Sequence, residues 1–165
     1  MTAPESGSAR EKRSTMDLVR IALLAILAFG LVGTEIELVL LEHTDGVWQI
    51  VPIAAIVSAL LVVVWHVARR NAASVRALQA LMWVFILSGA IGSVLHFNGN
   101  VAYERDSDPS LSGTALYRGA LSGSTPTLAP GTMIQLGLIG LVFAFRHPSL
   151  KRSLTHEPPT DRKVT

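Results

Sequence analysis

The chain has 165 residues, half of them hydrophobic and only 16% charged, with a mean hydropathy of +0.44; an ordinary soluble domain carries more charge. Its 14 Lys and Arg stand against 12 Asp and Glu and flank apolar stretches. The sequence pI near 9.4 therefore reflects membrane orientation and speaks against a nucleic-acid partner. With no cysteine, thiol–disulfide chemistry, Cys-ligated zinc, iron–sulfur clusters and covalent c-type haem are excluded.

In chain order, residues 1–16 read as a disordered tail, rich in Ser, Thr and mixed charge, with Arg10, Lys12 and Arg13 before the first apolar run. That run, about residues 18–41, starts like a signal peptide. No small-residue cleavage site closes it, and its apolar character resumes after Glu37, so it reads as a retained helix. A second span covers about 47–67 and a third about 75–97, each nearly free of charge. The segment 98–129 follows as a long loop. Within it, Asp108-Pro109 resembles a helix start, with Asp as N-cap and Pro in the first turn. A short interfacial helix over 109–121 is one reading; an irregular loop closed by Gly123-Ser124-Thr125-Pro126 is the other. A fourth span runs over about 130–146, and residues 148–165 read as a second disordered tail. At 1.5 Å rise per residue, each span can cross ~30 Å of hydrocarbon, the last only just.

This pattern predicts an all-α integral membrane protein, a four-transmembrane-helix bundle over 17–147. Of the 14 Lys and Arg, all but Arg105 and Arg118 fall on one side of it. The positive-inside rule then puts both termini in the cytoplasm and the 98–129 loop outside, in a cell (inner or plasma) membrane for a bacterial host.

Polar residues collect at the external ends of the spans. Glu35, Glu37, Glu42 and His43 lie on the first helix, Gln49 on the second, His96 and Asn100 on or just after the third, and Gln135 on the fourth. A carboxylate inside a membrane helix is costly and usually faces a protein interior or a cavity, so this layer is the candidate site. Glu35 and Glu42 share a direction, about two turns apart. Glu37 is offset from Glu35 by ~200° and lies with Gly30 and Gly33. Gly89, Gly92 and His96 share one face of the third helix. Packing of these two small-residue faces would bring Glu37 near His96.

Several chemistries fit these residue types. Glu35, Glu37 and His96 could hold a divalent metal, although no Glu-x-x-His stands on one helix. Carboxylates and imidazoles could instead bind a proton or a small polar ligand, with Glu42, His43, Asn100 and Gln135 contributing. A third reading is non-catalytic: an accessory or assembly subunit, or a homodimer, whose intramembrane Glu meets a partner helix. A b-type haem would need axial histidines, and His43 pairs by depth with His96 and His66 with His147. Quinone- or lipid-linked redox chemistry is compatible with the fold, but no motif indicates it. No phosphate loop, nucleophile elbow or HExxH is present, which removes the common hydrolase and nucleotide-binding signatures.

Overall fold

The structure is a computed structural model that describes residues 5–123 and 125–152. Among these residues all regular structure is helical: α1 (Glu5–Leu40), α2 (Val47–Arg69), α3 (Ala72–Ser107), α4 (Gly113–Leu121), α5 (Gly131–Ala144) and α6 (Pro148–Arg152). Three helical segments are long and apolar enough to cross a membrane: Ser14–Leu40, Val47–Arg69 and Ala72–Ser107. The chain is thus an all-α protein of membrane type. Phe29 at 82% and Leu40 at 77% exposure show how much apolar surface the helices turn outward, as a lipid surrounding requires and water does not favour.

The ends of these helices follow local chemistry. α1 closes through Glu42 in the left-handed region, φ 48°, with the His43 N–H returning to the Leu38 carbonyl. Arg70 does the same after α2, at φ 45°. α3 begins at Asn71, whose side chain accepts the Ser74 N–H at 2.8 Å. Pro52, in the second turn of α2, leaves the helix intact.

Three boundaries depart from the sequence reading. Residues 5–16, expected to be disordered, continue α1 as helix, since good helix formers extend a turn already nucleated by the apolar span. The rest of the expected N-terminal tail (1–4) and most of the C-terminal one (153–165) lie outside the described residues. α3 runs to Ser107 rather than ending near Phe97, because no breaker precedes Asp108-Pro109. That dipeptide stops a helix instead of starting one. The Asp108 carboxylate accepts from the Ser110 N–H and hydroxyl at 2.9 and 2.6 Å, which holds it below the usual carboxylate range. The short helix itself exists, as α4, beginning after Ser112.

α5 is apolar but has only 14 residues, about 21 Å. It packs against both α3 and α1, while α2 packs against the same two from the other side. α1 and α3 are therefore diagonal and barely touch. The expected meeting of their glycine faces is replaced by contacts to α5. A Cβ on Gly89 would come within 2.6 Å of the Pro130 carbonyl, and one on Gly137 within 2.8 Å of the Met82 carbonyl. Gly30 faces Leu136, and Gly33 faces open space. Leu27, Leu31, Ile56, Met82, Phe85 and Leu136 form the centre of the core.

Candidate functional site

The packing sets two polar ends. The acidic end joins the C-terminus of α1, the start of α2, the C-terminal part of α3 and the start of α5. The basic end joins the opposite termini.

At the acidic end, α1 directs its two carboxylates apart. Glu35 continues the stripe of Leu27 and Leu31 and is half-buried, with Oε2 shut away and no hydrogen-bond partner. Among the described residues it forms no ion pair. A desolvated carboxylate oxygen with no donor is unfavourable as an anion and calls for a proton or a cation. Glu37, on the other face, is exposed rather than held at a helix contact. Glu42 is exposed too, and its backbone is the feature that ends α1.

His43, in the turn after α1, and His96, on α3, lie within electrostatic range of each other. Burial first, and then the His96 charge, hold His43 below the ordinary imidazole range. His96 Nδ1–H donates to the Pro126 carbonyl at 3.0 Å, which ties α3 to the turns that lead into α5. Gln49 is occupied in the α1–α2 turn, accepting the Asp45 N–H at 2.7 Å.

Asn100 is 2% exposed and is spent on the loop. Its amide NH2 donates to the Ala120 and Thr125 carbonyls and the Thr127 hydroxyl, at 2.9, 2.7 and 3.1 Å, and its carbonyl accepts the Thr125 N–H at 3.3 Å. Both of its amide N–H groups are thereby spent within the protein. Gln135 is exposed and outside the cluster. Among the described residues, no three His, Asp or Glu gather where they could hold a metal ion. The expected Glu35, Glu37 and His96 set is dispersed because the α1–α3 contact it required does not form. A hollow of about 220 Å³ lies beside α4 instead, between Phe97, Asn98, Val101, Arg105, Leu116 and Tyr117.

The basic end holds the second histidine pair. His66 and His147 are 5% and 9% exposed, with ring centroids 5.1 Å apart and edge to face. Phe143 contacts both rings. Rings in direct contact leave no slot for a porphyrin between them, so bis-His ligation of a haem by this pair does not fit. Burial first, then His66 and Arg20, pull His147 down to about 4, against a smaller opposite influence of Asp17.

Sequence reasoning missed Ser74, which hydrogen-bonds His66 Nδ1 at 2.9 Å, and Ser149, whose hydroxyl donates to the Arg70 carbonyl at 2.9 Å. Both contacts depend on left-handed turns at Arg70 and Arg146, residues without the glycine signal of such turns. No family model, curated protein or solved structure matches this chain.

Proposed function

We propose that the chain is a four-span membrane protein of a bacterial inner or plasma membrane, with both termini cytoplasmic, whose acidic end binds a proton within the membrane. The observation that carries this reading is Glu35: a carboxylate on the packed face of α1 with one oxygen buried and undonated. A proton satisfies that oxygen with no further ligand, whereas a divalent cation would need companions that the surrounding residues do not gather. His43 and His96 lie at the same end, where an imidazole and a carboxylate together offer groups of the kind that carry protons. Distribution of the basic residues supports the orientation, and the packing of α5 between α1 and α3 supports a fourth crossing assisted by its flanking turns.

Infrared spectroscopy of the purified protein in lipid discs at neutral pH tests this. A protonated-carboxyl band is expected, and Glu35→Gln should remove it. An unchanged spectrum in that variant would contradict the reading, and tight binding of Zn²⁺ or Mn²⁺ abolished by Glu35→Gln would favour the cation alternative.

A second reading, an accessory subunit or homodimer, is favoured by the open face of α1. Its membrane-compatible segment is only 11% buried, and that face carries Gly33 with nothing against it and the exposed Glu37. Gly33→Leu should then shift a complex toward monomer in native mass spectrometry. Unaltered stoichiometry would argue against a partner at this face.

A further inference from the structure

The cluster at the basic end plays no part in the proton site proposed for Glu35 and has a logic of its own. Each of its two buried histidines is tied to a neighbouring serine. The Ser74 hydroxyl lies 2.9 Å from both the Asn71 carbonyl and His66 Nδ1. For His147 the partner is a backbone donor, which sets the direction. Its Nδ1 accepts the Ser149 N–H at 3.3 Å, so Nδ1 is bare and the ring proton sits on Nε2.

That acceptor matters because of where Ser149 goes. Its hydroxyl donates to the carbonyl of Arg70, in the turn between α2 and α3. Leu150, one residue on, packs against the core, and α6 lies along α3. The first turn of α6 is thus fastened to the α2–α3 turn through a residue that neutral His147 orients.

We infer that His147 is a proton-operated latch: neutral, it holds Pro148–Arg152 against the α2–α3 turn, and protonated, it lets that segment go. A proton on Nδ1 would convert the acceptor into a donor pointing at another donor, the Ser149 N–H. The new charge would also meet a setting that is unfavourable on balance, Asp17 alone favouring it. α1 presents Arg20 and Asp17, the latter already paired with Arg20 at 3.6 Å. α2 presents His66, with Arg70 acting on that ring, and the neutral Ser74 of α3 bonds the same ring. Arg146 adjoins in the chain, and the Arg20 guanidinium donates to its carbonyl at 3.4 Å. Edge-to-face contact with His66 and a tilted contact with Phe143 exclude the water that would solvate an imidazolium in place.

Because the chain has no cysteine, Lys151→Cys gives one attachment point for a nitroxide label on the full protein in lipid discs. Spectra between about pH 7.5 and about pH 4.5 should pass from an immobile to a predominantly mobile label. The midpoint should fall between the folded value of about 4 and the ordinary 6.5. His147→Asn keeps an acceptor near the Nδ1 position and takes no proton, so its label should stay immobile throughout. An immobile label in the parent at both extremes, or the same acid transition in His147→Asn, would overturn the latch. Should that variant fail to fold, nitrogen NMR of histidine-labelled protein with native His147 decides the matter. Release that coincides with protonation of His147 supports the latch, and release without it refutes it.

Discussion

Asn100 shows how a polar residue near a membrane boundary can look like a ligand and act as a fastener. One side chain joins α3 to the end of α4 and to the approach to α5 through four hydrogen bonds. Asn100→Ala leaves buried acceptors at Ala120 and Thr127 without this donor and should lower stability by about 3 kcal/mol. Thermal unfolding followed by tryptophan fluorescence measures that loss; a change within experimental error would mean the loop is held by other contacts. His147 predicts a pH dependence of the same quantity. Its folded value is lowered to about 4 from 6.5, so above the ordinary value both states are neutral and stability is level. As pH falls through that interval the unfolded chain takes a proton that the folded one refuses, and stability should decline by up to about 3 kcal/mol. His147→Asn should flatten that slope; a slope that persists would assign it to other groups. Glu35 was legible in the sequence as a residue out of place in an apolar run. Which of Glu35 and Glu37 turns inward was not, because that depends on where α5 packs. Gly30 and Gly33 suggested a contact face near Glu37, but the bulkier Leu27–Leu31 stripe takes the core and draws Glu35 with it.

Among the helices, the α3–α5 pair is the tightest contact and α1 is the least buried span. The glycines report the contrast directly. Gly137→Ala would drive a methyl into the Met82 carbonyl, which cannot yield as a side chain could, and should cost about 1–3 kcal/mol. Gly33→Ala meets nothing and should be neutral, or stabilising by up to about 1 kcal/mol through helix propensity. Equal effects of the two substitutions on the melting temperature would contradict this packing. The existence of each apolar helix followed from hydropathy alone, since composition decides whether a segment can sit in lipid. Helix ends were less legible. α3 passes through Asn98, Gly99 and Asn100 because nothing there forbids a helix, and it yields only to Pro109. Neighbour relations were least legible, because small residues mark close approach without naming the partner. Gly89 and Gly92 do mark one, but against α5 instead of α1.

For the whole molecule, the separation of an acidic end from a basic end is the feature on which the proposed function rests. An apolar core lies between them, with the half-buried Glu35 toward one end and the His66–His147 pair toward the other. A proton site near the external surface and a latch near the cytoplasmic one would then respond to different compartments. This arrangement stands on the chain crossing four times with the α3–α5 connection outside. The absence of native cysteine allows a direct measurement: single cysteines at Thr15, Thr114 and Lys151, each treated in intact cells with a membrane-impermeant maleimide. Labelling is expected at Thr114→Cys alone, with Thr15→Cys and Lys151→Cys reactive only after the membrane is opened. Labelling of Lys151→Cys together with Thr114→Cys in intact cells would show that α5 does not cross. Labelling of Thr15→Cys with protection of Thr114→Cys would place the acidic end in the cytoplasm and contradict the account.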